Sequence, residues 1–173
     1  MKTIKIEVYE FDELSEEAKE KARDWYRYGA LDYEWWDYIY DDAENVGIKI
    51  TEFDLDRQRS AEGSFTDDGI YCANKILEEH GEDCESHNTA QGFLKERDTF
   101  IDLAPRDEDG EFKEPYALDA NLDHVEAEFL KSILEDYSIL LRKEYEYVLS
   151  DESVDENIRA NEYTFTKEGK RFG

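Results

Sequence analysis

The chain opens with apolar residues at every second position, Ile4, Ile6 and Val8, set against Lys5, Glu7 and Tyr9. A period of two predicts a strand with one buried face. The period then lengthens. Asp12 or Ser15 is placed to cap a helix from about Glu16, with Glu16 and Glu17 in its first turn and Ala18, Ala22, Trp25 and Tyr26 as its apolar stripe. A second helix is expected from Asp32, because Trp36, Ile39, Ala43 and Val46 recur at helical spacing and Gly47 supplies a stop.

Ile48 and Ile50 share one strand parity, whereas Phe53 and Leu55 share the other. One continuous strand cannot bury both pairs on one face, so a bulge near Thr51 or burial on both faces is expected. Ala61–Thr66 reads as the next antiparallel strand. A helix over about Gly69–His80 follows, with Ile76 and Leu77 inward and Gly81 as its C′ residue. Ser86 or Thr89 opens a short helix carrying Ala90, Phe93, Leu94 and Phe100, and Pro105–Pro115 reads as an exposed acidic loop around Asp109-Gly110.

The longest predicted element runs from about Leu122 to Leu149. Leu122, Val125, Phe129, Ile133, Tyr137, Leu140 and Val148 form its stripe, widened by Leu130, Leu134 and Leu141. At ~1.5 Å per residue it is a rod of roughly 42 Å, the expected spine of the fold. Ser150 or Asp151 caps a short helix with Val154 and Ile158, and Tyr163–Thr166 alternates as a final strand. The order β-α-α-β-β-α-α-α-β predicts an α+β fold, with a small, mostly antiparallel sheet of about four strands packed against helices.

Composition changes this picture in one respect. The chain has 173 residues with 47 acids against 21 bases, a formal net charge of −26. Direct binding to a nucleic-acid backbone requires a basic footprint, so that class is excluded; anionic membrane surfaces are excluded by the same sign. Acidity often accompanies disorder, but 12 Tyr, nine Phe and three Trp are the residues of a packed core. No Gly/Ser-rich linker interrupts the chain, and a single domain over residues 1–173 is expected. No export signal or membrane span is read, and Cys72 and Cys84 are expected as free thiols in a reducing cytoplasm.

The residues that carry chemistry are few. Cys72, His80, Cys84 and His87 are zinc-ligand types, but their spacing matches no common ligand pairing and the first two sit at opposite ends of a helix, so no metal is expected. Asp107, Asp109 and Gly110 resemble part of a calcium loop, yet Pro105 and Tyr116 occupy positions that need acids. Asp54, Asp56 and Arg57 read as a solvated strand edge with a local ion pair. His124 has no neighbouring nucleophile. No phosphate loop, nucleophile elbow or HExxH motif is present, so neither cofactor nor catalysis is expected.

Two surfaces stand out as partner sites. In DYEWWDYIYDD, Trp36 and Ile39 are expected to face the core and to leave Trp35, Asp37, Tyr38 and Asp41 towards the edges, where Trp and Tyr are frequent interface anchors. The long helix presents Asp123, Glu126, Glu135 and Asp136 among the acids opposite its apolar stripe.

The segments EFDELSEEAKEKARDWYR, ITEFDLDR, ILEEHGEDCESHNTAQGFL and FLKSILEDYSILLRKEYEYVLSDESVDENIRANEYTFT resemble small acidic proteins of bacteriophages and prophages, some of them labelled antitoxins. The resemblance spans most of the chain, least so over residues 105–120, and brings no catalytic residues with it. It implies action in the bacterial host cytoplasm. With the charge, it leads to the expectation of a non-enzymatic inhibitor of a host defence factor, of the anti-restriction or anti-CRISPR kind. Its partner would be a host protein with a basic, nucleic-acid-binding surface. B-DNA carries one charge per ~1.7 Å, so 26 charges correspond to roughly 44 Å of duplex, close to the length of the expected spine. The alternative is an antitoxin-like regulator that neutralises a specific protein through the aromatic patch.

Overall fold

The structure is a computed structural model that describes residues 1–173. The fold is α+β, with small antiparallel sheets and one long helix in the C-terminal half. The strands divide between a three-stranded and a two-stranded sheet rather than joining in one sheet. The chain forms two compact units, Met1–Trp35 with Lys143–Gly173, and Trp36–Arg142.

The first unit contains β1 (Tyr9–Glu10), a single 3-10 turn (Phe11–Glu13) and α1 (Glu16–Gly29), followed much later in the chain by α6 (Asp151–Ala160), β4 (Thr164–Phe165) and β5 (Arg171–Phe172). Ser15 caps α1 by accepting the Ala18 N–H, and Ser150 caps α6 by accepting that of Ser153, each one of the two candidates the sequence offers at that end. The core of this unit gathers Phe11, Leu14, Ala18, Ala22, Val154, Ile158 and Phe165. Two alanines on the inner face of α1 let backbone come close: the α-carbon of Gly169, in the β4–β5 turn, lies against the Ala18 carbonyl.

The sheet order is β1-β4-β5, with Tyr9 opposite Phe165 and Phe165 opposite Arg171. This corrects the expected N-terminal strand. Ile4, Ile6 and Val8 are exposed and lie outside any strand. The partner strand turns at Thr166, whose N–H bonds Lys170, so β1 has nothing to pair with beyond Tyr9. Trp25 is also more exposed than its place in the stripe implies, resting edge-on against Tyr163 and Phe165.

The second unit contains α2 (Asp37–Asn45), β2 (Ile48–Asp54), β3 (Ser60–Phe65), α3 (Gly69–Glu79), α4 (Glu85–Leu103) and the greater part of α5 (Pro115–Val148). Gly47 stops α2 at φ +88°, a backbone region that costs glycine little. β2 and β3 pair antiparallel with a register shift between Ile50 and Glu52, the expected bulge. It restores Phe53 to the side of Ile48 and Ile50, where Trp36 and Tyr40 meet its ring edge-on. Phe65, Phe129 and Phe93 form a stack linking β3, α5 and α4.

Four further expectations are corrected here. α2 begins at Asp37, five residues late, because the chain turns at Trp35–Trp36. α3 ends on an extended His80, so Gly81 is not a left-handed cap. α4 has 19 residues and is not short. α5 has 34 residues, roughly 51 Å, and starts at Pro115, where the missing N–H is harmless in a first turn. Its stripe passes from Tyr137 to the fully buried Leu141, leaving Leu140 44% exposed.

Candidate functional site

The acidic surface is unevenly distributed. The second unit holds 29 acids against 10 bases, net −19, and the first 18 against 11, net −7. Ion pairing widens the difference. In the first unit Arg23 joins Glu20 and Asp155, Arg27 joins Asp24 and Asp151, and Arg159 grips Asp12. In the second unit the ion pairs are Lys75–Glu78 and His80–Asp42. Most carboxylates there are uncompensated, carried on helices held by the aromatic stack.

The predicted partner residues separate into two groups. Asp37, Tyr38 and Asp41 lie on the outer face of α2, at helical spacing, and are exposed. Asp123 and Glu135 are exposed on α5. The others are structural. Trp35 is buried, its ring 5.8 Å from that of Tyr145, which corrects its expected edge position. Glu126 is half-buried against the N-terminus of α3, so close that a Cβ on Gly69 would lie 2.8 Å from its Cγ. Its charge there offsets the positive end of the α3 dipole. Asp136 is half-buried and accepts a 2.7 Å bond from the Thr89 hydroxyl. Burial lifts its carboxyl above the ordinary range, against the pull of that bond, and Glu85 and Glu135 add to the rise.

A furrow of about 260 Å³ lies between α4 and α5, lined by Gly92 and floored by the buried Phe93 and Phe129. Glu96 and Glu128 stand on its rim. Two carboxylates beside one furrow suit the cation of an arginine.

Sequence reading missed a polar network inside this unit. His80 Nδ1 and Ser86 Oγ share a 2.6 Å bond, His80 Nε2 lies 3.1 Å from Asp42, and the Tyr137 hydroxyl donates to Asp42 at 2.7 Å. Four elements, α2, α3, α4 and α5, meet here. His80 and then Tyr137 hold the Asp42 carboxyl below the usual range, while burial and Asp42 raise the Tyr137 phenol. Carboxylate, imidazole and hydroxyl occur in the order of a nucleophilic triad. Ser86 is buried, and its bond to His80 with the two bonds to Asp42 ties the four elements together.

The remaining motif residues take local roles. Cys72 is buried, Cys84 is exposed, and no cluster of His, Cys, Asp or Glu is arranged to hold a metal ion. Asp54 closes the β2–β3 turn by accepting the N–H groups of Asp56 and Arg57, which also lowers its carboxyl. Asp107 accepts the N–H groups of Asp109 and Glu111. No helix is long and apolar enough to cross a membrane.

These features define an α+β protein with an uncompensated acidic unit and no cluster of His, Cys, Asp or Glu arranged to hold a metal ion. No protein-family model, curated protein or solved structure matches the chain.

Proposed function

We propose that this is a phage-encoded, non-enzymatic binding protein that works in the bacterial host cytoplasm. Its acidic unit occupies the basic, nucleic-acid-binding surface of a host defence factor and inhibits it as a nucleic-acid mimic. The observation that carries this reading is the partition of charge: net −19 in the unit whose acids are largely unpaired, against net −7 in the unit where Arg23, Arg27 and Arg159 are held in ion pairs. Nineteen charges correspond to roughly 32 Å of B-DNA. Such a field accelerates encounter with a basic partner and fades with salt. Asp37, Asp41, Asp123 and Glu135 are the exposed acids expected to contribute, and the α4–α5 furrow receives an arginine from the partner.

The test is a pull-down from host lysate with the tagged chain in low and in moderate salt. Proteins with basic, nucleic-acid-binding surfaces should be retained at low salt and lost as salt rises. If nothing basic is retained at low salt, the reading fails. An antitoxin-like contact through Tyr38 and its neighbours would instead persist in salt.

A further inference from the structure

The sequence writes a half-buried strand over Ile4, Ile6 and Val8, yet these residues are exposed and pair with nothing. Elsewhere a strand lacks a neighbour. β2 and β3 pair only with each other, so β3 has an open edge. Beside residues 58–63 lies a groove of about 410 Å³ whose opposite wall is α5, through Ala127, Leu130 and Leu134. The groove exists because of side-chain size. On the α5 side of β3, Phe65 fills the gap by stacking on Phe129, whereas the short Ala61 leaves it empty and Gly63 is kept bare by the Lys49 carbonyl, 2.4 Å from where a Cβ would sit.

The exposed face of the hairpin has its own unmet need. Glu62 and Glu52 sit directly opposite each other, and Glu52 raises the Glu62 carboxyl by sharing a hydrogen bond and by repulsion. Like charges across a ladder destabilise it, and a cation placed beside them would relieve this.

We propose that residues 2–8 of one copy of this chain add as an antiparallel strand to the free edge of β3 in another copy. With Lys5 beside Glu62, Ile4 falls opposite Gly63 and Ile6 opposite Ala61, filling the space towards Leu130 and Leu134. The same register sets Glu7 opposite Ser60 and Val8 opposite Arg59, at the far end of the groove. Large apolar residues of the segment then meet small ones on one face, and Lys5 meets Glu62 on the other. Main-chain pairing supplies the affinity and the side chains set the register. This contact goes beyond the proposed function, since it rests on apolar burial and strand pairing and should survive salt that disrupts an acidic mimic.

Sedimentation velocity of the full chain over a range of concentrations tests it. Association that grows with concentration and persists in moderate salt is expected. The double variant Ile4→Asp/Ile6→Asp alters only exposed positions and should weaken association at least tenfold. Ala127→Trp, also at an exposed position, fills the groove and should do the same. Mixing the two variants should recover association, because one keeps the groove and the other the segment. A full chain that stays monomeric throughout, or an Ile4→Asp/Ile6→Asp variant that associates like the parent, overturns the proposal.

Discussion

The hydroxyl of Tyr137, on α5, donates a 2.7 Å hydrogen bond to Asp42, on α2, from a ring that is almost wholly buried. Ninety-five residues separate the two in sequence, so the bond ties distant parts of the second unit together. Removing the hydroxyl by Tyr137→Phe leaves Asp42 with His80 alone. A loss of about 1–2 kcal/mol in urea unfolding is expected. A change within about 0.3 kcal/mol would mean that solvent replaces the bond fully.

Asp42 and Asp136 should respond to pH in opposite senses. The Asp42 carboxyl is lowered in the folded chain, first by His80. Its contribution is therefore present above the unfolded value of about 3.9 and is lost as pH falls through the folded value. Asp136 is raised, chiefly by burial, so its ionised form is penalised at neutral pH and the penalty lifts as pH falls. Asp42→Asn should thus be less stable than the parent at pH 7, with the difference shrinking below about pH 4. Asp136→Asn should be neutral or more stable at pH 7, with its difference also closing in acid. Unfolding curves across pH decide both signs.

In the first unit, Asp155 accepts two bonds from Arg23, at 2.7 and 2.8 Å, and both side chains are largely buried. Asp155→Ala leaves the guanidinium with Glu20 alone, and a cost of about 2–3 kcal/mol is expected. Asp24→Ala, at an exposed ion pair with Arg27, should change stability by less than about 0.5 kcal/mol. Equal losses would contradict the difference in burial.

Gly110 and Gly169 have nearly the same backbone, φ +83° and +85°, in different surroundings. A Cβ on Gly110 meets open space, whereas one on Gly169 would lie 2.1 Å from the Ala18 carbonyl oxygen. Gly110→Ala should cost about 1 kcal/mol from the left-handed conformation alone. Gly169→Ala should cost several times more, because the β4–β5 turn must move off α1. Thermal unfolding of the pair measures this difference.

Much of the fold was legible where the determinants are local. Ser15, Ser150 and Gly47 fix helix ends within a few residues of themselves, and the parity switch between Ile50 and Phe53 announces the bulge. Legibility failed where a partner decides. The alternation at Ile4–Val8 is that of a strand, but pairing depends on β4, which turns away at Thr166. Trp35 is buried rather than at an edge because α2 starts after it, so helical phase does not apply. Glu126 and Asp136 read as free acids until Gly69 and Thr89 are seen beside them. His80 showed no partner in sequence because Asp42 lies 38 residues away.

The central claim is that the acidic unit stands in for nucleic acid. Its most direct test is competition: host proteins retained on the tagged chain at low salt are challenged with duplex DNA or RNA, and the eluted proteins are identified. Elution of a basic, nucleic-acid-binding protein by the duplex, with weaker retention on a chain carrying Asp37→Asn, Asp41→Asn, Asp123→Asn and Glu135→Gln, is the expected result. Retained proteins that ignore both the duplex and these substitutions would contradict it.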